Sequence, residues 1–196
     1  MQRTKVFATA GLLCGIALSS LFDRAVNRRV KEWDGRWVNR TNTVGHLYQS
    51  PLAVLGTGGS VSAYGVLTGR AKAQRVGREI MESYAMAFLG SELVKHLVGR
   101  SRPYLNRGPF HFNGPALHIR NTSFPSGDVV AAFSMSTVLA AEIGSVSAAA
   151  VLYGLAALTA FQRISTNQHW LSDTVAGAVW GTTVGLAVVN HHQTRE

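Results

Sequence analysis

Residues 146–190 read VSAAAVLYGLAALTAFQRISTNQHWLSDTVAGAVWGTTVGLAVVN: two apolar runs, 146–162 and 173–190, with a polar link between them that carries Arg163 and His169 and leads into Asp173. Neither run alternates apolar and polar residues as a half-buried strand does, and each is long enough for several helical turns. Gly177, Gly181 and Gly185 recur every four residues in the second run, a smooth ridge on which another helix packs closely.

Three more apolar stretches, at about 44–68, 80–98 and 128–143, share this character. The chain therefore reads as all-α, a bundle of about five to six membrane-type helices. Residues 1–22 place Arg3 and Lys5 before an uncharged run from Val6 to Phe22, which fits either a first membrane helix or a secretory signal peptide; residues 23–196 form the one remaining domain. Trp33 and Trp37, four apart, predict two indoles on one face of a short interfacial helix, or ordinary core packing. Gly56-Thr57-Gly58-Gly59 has no preceding strand and no following Lys-Ser/Thr, so it reads as close helix packing or a kink rather than a phosphate loop.

The 196 residues hold 46% hydrophobic but only 15% charged residues, below the roughly 25% usual for soluble domains, and a membrane is the simplest reason. Mean hydropathy is only +0.10, because the apolar stretches are rich in Ala, Gly, Ser and Thr. A net charge of +9 points to an anionic partner: nucleic acid, acidic lipid or a phosphorylated substrate. Nucleic acid fits worst, since the basic residues are dispersed among apolar helices. The single Cys14 excludes an intramolecular disulfide and a Cys-based zinc cluster. Gly69 to Glu79, with Arg70, Lys72, Arg75 and Arg78, reads as a short basic cytoplasmic loop, which sends 99–122 and the link at 163–172 together to the other side. The basic 23–40 stretch then also falls outside. Glu82, Glu92, Lys95, Asp128 and Glu142 lie within helices and must face the bundle interior or water.

Three polar blocks interrupt these helices. In the first, Lys95 and Arg102 are seven residues apart, two helical turns, with Pro103 stopping the helix just beyond. In the second, Ser123-Phe-Pro-Ser126-Gly127-Asp128 leads into an Ala-rich helix, so the Ser126 and Gly127 amides lie at a positive helix start. In the third, His169 and Asp173 stand at i, i+4, where a carboxylate can hold one ring nitrogen and leave the other free to attack. Singly, each block has an ordinary explanation in snorkelling, capping or a structural hydrogen bond.

Their order and spacing resemble the signature of the type 2 phosphatidic acid phosphatase superfamily: Lys-x6-Arg-Pro, Pro-Ser-Gly-His, then Ser-Arg-x5-His-x3-Asp. Here Lys95, Arg102, Pro103, Pro125, Ser126, Gly127, Arg163, His169 and Asp173 stand in register. The resemblance implies a helical bundle with its active site at one end, a phosphohistidine intermediate, and neither metal nor cofactor. It makes His169 the nucleophile, oriented by Asp173, with Lys95, Arg102, Arg163, Ser126 and Gly127 holding the phosphate. Such an arrangement suits phosphoryl transfer, which needs positioning and neutralised charge. It implies a phosphorylated lipid or other phosphate ester as partner, and a membrane location, the bacterial-type inner membrane with the site facing the periplasm or exterior.

Two positions depart from the pattern. Gln162 replaces the Ser before Arg163, a change expected to be tolerated because Gln still hydrogen-bonds. Asp128 replaces the family's His, the general acid for the leaving oxygen. An aspartate is ordinarily ionised at neutral pH, cannot donate, and repels an incoming phosphate. Turnover lowered by roughly two to four orders of magnitude is the expectation. Alternatives are a catalytically weakened binder of phosphate headgroups and, by resemblance, a vanadate-dependent haloperoxidase, which also relies on the position held by Asp128. His111, His118 and Arg120 lie in a loop, 104–122, that either reads a headgroup or merely decorates the surface.

Overall fold

The computed structural model describes residues 2–115 and 118–194. Among the described residues there are eight α-helices: α1 (Gln2–Ser20), α2 (Asp23–Lys31), α3 (Arg36–Tyr48), α4 (Pro51–Thr68), α5 (Ala71–Val98), α6 (Gly127–Ile143), α7 (Val146–Ser165) and α8 (Leu171–Gln193). Two 3-10 turns, Pro103–Leu105 and Ile119–Asn121, lie in the segment between α5 and α6. The fold is all-α, with more helices than the five to six expected.

The extra elements arise from local stops that apolar content does not reveal. The run at 44–68 is divided because Ser50 caps α4, its hydroxyl accepting the Ala53 N–H at 3.1 Å, with Pro51 at the first helical position. Trp33 and Trp37 do not share a helix, since α2 ends before Trp33 and Gly35, at φ 108, starts α3. The indoles still meet, 5.7 Å apart, and each lies 5.9 Å from the Phe161 ring. The expected basic loop at 69–79 is mostly helix. Only the left-handed Gly69 (φ 68) and Arg70 interrupt, and Lys72, Arg75 and Arg78 ride on the first turns of α5.

In α5 the inward side carries Ile80, Ser83, Ala87, Ser91 and Lys95, all buried, while Met86, Leu89, Leu93 and Leu97 are exposed by 58–68%. From Ser83 onward, large apolar side chains lie outside and small or polar ones inside, the reverse of a soluble helix. Further exposed leucines stand on α1 and α4, at Leu13, Leu18, Leu52 and Leu67. Among the described residues, two helices, α7 and α8, are long and apolar enough to cross a membrane.

Small residues let the helices approach. A Cβ at Gly177 would lie 2.7 Å from the Ser126 carbonyl oxygen, and one at Gly181 2.5 Å from that of Val130, so the ridge of α8 fits against the backbone of α6. Gly58 in α4 plays the same part against α5, where its Cβ would come 2.8 Å from Met81. The buried charges at the far end are paired, Arg75 Nη1 lying 2.9 Å from Glu79 and 3.0 Å from Glu142. A core of Val54, Val76, Ile80, Ala131, Met135, Val138 and Val189 fills the space between α4, α5, α6 and α8.

Candidate active site

The α6–α8 ridge brings the start of both helices to one end of the bundle, where α5 finishes. There α5 stops at Val98 because Gly99 adopts φ 61, and a Cβ at 99 would strike the Gly114 carbonyl oxygen at 1.8 Å. The break means that Arg102 does not share a helical face with Lys95, as the seven-residue spacing predicted. Arg102 instead precedes the 3-10 turn, and its Nη1 donates to Gln168 Oε1 at 2.9 Å, in the link between α7 and α8. Lys95, on the last turn of α5, pairs with Glu92. Its ammonium lies over Gly127, 2.5 Å from where a Cβ would stand, so a side chain there would push the cation off the first turn of α6.

His169 is 1% exposed and lies before α8, whose N-cap is Trp170. The i, i+4 geometry expected of His169 and Asp173 is therefore not helical. His169 Nδ1 donates to the Ser123 carbonyl oxygen at 2.8 Å, whereas Asp173 Oδ2 is 3.7 Å away, beyond hydrogen-bond range. With the proton on Nδ1, Nε2 keeps the lone pair. Burial moves the His169 pKa below its ordinary value. Asp173 opposes that shift, and the charges of Arg102 and Arg163 reinforce it. The buried imidazole is thus held neutral.

Asp173 instead ties together the segments that present His169. Its Oδ2 accepts from Ser123 Oγ at 2.6 Å and from the Trp170 N–H at 2.8 Å, and its Oδ1 from Arg100 Nη1 at 2.5 Å. Arg100 is itself buried, with Nη1 donating to Ser172 Oγ at 2.7 Å, Nε to the Pro109 carbonyl at 2.8 Å and Nη2 to Asp23 Oδ2 at 2.7 Å. Asp23, fully buried at the start of α2, also accepts the Ser172 N–H at 2.8 Å. Its pKa is raised by burial, against the pull of Ser172 and Arg100. Asp23, Arg100, Ser123 and Ser172 were given no role from sequence. A third cation inside the first block was the one available hint for Arg100, and nothing local marks Asp23.

The second block differs from expectation in one respect. The Ser126 N–H donates to the Asp173 carbonyl at 3.0 Å, so this amide is not open to an anion. Its hydroxyl, however, is buried without a partner, as are Arg102 Nε and Arg163 Nε. Arg163 Nε does lie 3.0 Å from Asp128 Oδ2, an ion pair that lacks the direction of a hydrogen bond. A buried donor left without a hydrogen bond costs about 1–3 kcal/mol, and each of the three blocks carries one such group. Asp128, with a side chain 40% exposed, faces the same Arg163. Gln162 is buried, and its Oε1 accepts no hydrogen bond.

The three polar blocks thus meet around a buried histidine at one end of a helical bundle. Residues 78–196 match the family model of the PAP2 superfamily, and the chain belongs to that superfamily, the type 2 phosphatidic acid phosphatases. A lipid A 1-phosphatase of Porphyromonas gingivalis is 33% identical over 110 residues, which are 54% of this chain; the match spans only 22% of that curated relative's length. The fold is shared with a transmembrane PAP2 type phosphatidylglycerolphosphate phosphatase from Bacillus subtilis, at TM-score 0.72 and 18% identity, over 95% of this chain and 96% of the other. LpxE of Aquifex aeolicus aligns at TM-score 0.61 and 19% identity, over 86% and 95%.

Proposed function

We propose that this chain is a phosphatase that removes phosphate from a phosphorylated lipid through a phosphohistidine at His169. The observation that carries the reading is the His169 geometry: Nδ1 committed to the Ser123 carbonyl and Nε2 left as the nucleophile, among unpartnered donors of Arg102, Ser126 and Arg163. In the first step Nε2 forms a bond to phosphorus as the bond to the leaving oxygen breaks. Lys95, Arg102 and Arg163 neutralise the non-bridging oxygens, and water then attacks the phosphohistidine to release phosphate. Asp173 positions His169 through the Ser123 hydroxyl and the Trp170 amide.

A lipid as substrate is supported by an apolar groove of about 450 Å³ between α1, α5 and α8. Leu13, Val94 and Trp180 line it, and it ends at Phe124 and Pro125, beside Ser126. The outward apolar stripe of α5 supports a bundle set in a membrane, and Arg70, Lys72, Arg75 and Arg78 at the opposite end support a site on the non-cytoplasmic face. The test is phosphate release from a phosphatidate in mixed micelles, with His169→Ala as control. Release that depends on His169 is expected; equal release by both proteins would refute the assignment.

The Asp128–Arg163 contact favours a second reading, a weakened enzyme that chiefly binds phosphate headgroups, since a carboxylate already occupies one cation of the cradle. Binding of a labelled phosphatidate without turnover would decide for it.

A further inference from the structure

Beside the phosphate cradle lies a cavity of about 550 Å³ lined by Leu105, Arg107, His118, Arg120 and Asn121. No carboxylate lines it, and from Leu93 to Gly127 the chain has no Asp or Glu at all. The side chains of Arg107, His118 and Arg120 are exposed, and none forms a hydrogen bond or ion pair with the described residues. Four buried or half-buried cations elsewhere are matched by carboxylates: Arg75 by Glu79 and Glu142, Arg100 by Asp23 and Asp173, Lys95 by Glu92 and Arg163 by Asp128. This basin is therefore a concentration of positive charge that the protein does not itself neutralise.

The basin is fastened to the cradle through the backbone. The Arg102 N–H donates to the Arg120 carbonyl at 3.3 Å, and the Leu105 N–H to the Arg102 carbonyl at 3.1 Å. One wall is thus fastened at Arg120, two residues after His118, and the other begins at Leu105, three residues beyond the arginine assigned to the scissile phosphate. The Ser101 N–H donates to the His111 carbonyl at 3.0 Å and pins the same loop a second time.

We propose that Arg107, His118 and Arg120 form a subsite for a second anionic group on the substrate, a diphosphate or a separate phosphate, next to the phosphate that is attacked. This rests on the phosphatase reading for its place in turnover, but not for binding. Guanidinium groups favour phosphate oxygens by charge-assisted, fork-shaped hydrogen bonds. A ligand with one phosphate fills the cradle alone; one with two spans cradle and basin.

The experiment measures binding first, so that absent turnover does not obscure it. Full-length His169→Ala protein in detergent is titrated with inorganic pyrophosphate and with inorganic phosphate. Pyrophosphate is expected to bind about tenfold or more tightly than phosphate, and Arg107→Gln/Arg120→Gln in the same background to bring the ratio near one. His118→Asn gives a smaller change in the same direction. A ratio unaltered by these substitutions, or equal affinities at the start, overturns the subsite. In active protein the ratio of KM for a prenyl monophosphate to KM for its diphosphate, and that for a lipid with two separated phosphates, then shows which arrangement is read. Turnover of none of them, with the pyrophosphate preference intact, removes the phosphatase reading and leaves the subsite standing.

Discussion

Arg100 joins Asp173 to a carboxylate that lies 150 positions away from it in the chain: one guanidinium nitrogen is 2.5 Å from Asp173 and the other 2.7 Å from Asp23, with all three side chains buried. Breaking a buried pair from one side leaves an uncompensated charge and costs about 3–5 kcal/mol. Arg100→Ala is expected to lose stability of that order, seen as a lower midpoint of thermal unfolding. Asp23→Asn in the same protein should recover part of it by removing one stranded carboxylate. Additive losses from the two changes would show that the residues are not coupled.

The depressed pKa of His169 gives a pH dependence of defined sign. The buried ring binds its proton less readily than in the unfolded chain, whose reference value is 6.5. Stability from this group is therefore complete above about pH 6.5 and declines as pH falls below it, because protonation favours the unfolded state. Wild-type protein should lose thermal stability between pH 7.5 and 5 more steeply than His169→Gln. Parallel profiles would contradict the buried neutral imidazole.

Asp128, at the position where the resemblance to the family implies a proton-donating His, pairs with Arg163 at 3.0 Å. Asp128→His is expected to raise turnover by roughly 10²–10⁴-fold, most for substrates with poor leaving groups. Asp128→Asn, which frees Arg163 but supplies no acid, should tighten phosphate binding with a much smaller gain in turnover. Steady-state rates on an alkyl and an aryl phosphate separate the two effects.

The approach of α8 to α6 sets the site as well as the core. At Gly181 a Cβ would stand 2.5 Å from the Val130 carbonyl and 3.0 Å from the Ser134 amide, both rigid backbone. Gly181→Leu should cost about 1–3 kcal/mol by overpacking. It should also weaken phosphate binding, because α6 carries Gly127 and Asp128 and begins at Ser126. Unchanged affinity in the folded variant would show that the helix spacing does not govern the cradle.

The helical class, the ridge on α8 and the three polar blocks were legible because each is a local pattern: long apolar runs, glycines at a spacing of four, and a spaced signature. The geometry within the blocks was not. Lys95 and Arg102 looked like neighbours on one helix until Gly99 ended it, and His169 looked like part of α8 until Trp170 became its cap. In both cases the spacing was right and the backbone between was irregular, which periodicity does not register. Asp23 and Arg100 were missed because their meaning depends on a contact across the fold. Ser123 escaped notice because it acts on His169 through a carbonyl, a group every residue carries.

His169 is the residue proposed to attack phosphorus. Brief mixing of the protein with a ³²P-labelled aryl phosphate, whose leaving group needs little acid assistance, followed by alkaline quenching, should trap a base-stable, acid-labile label on the peptide containing His169, absent from His169→Ala. Label on any other residue, or undiminished turnover by His169→Ala, would contradict the account.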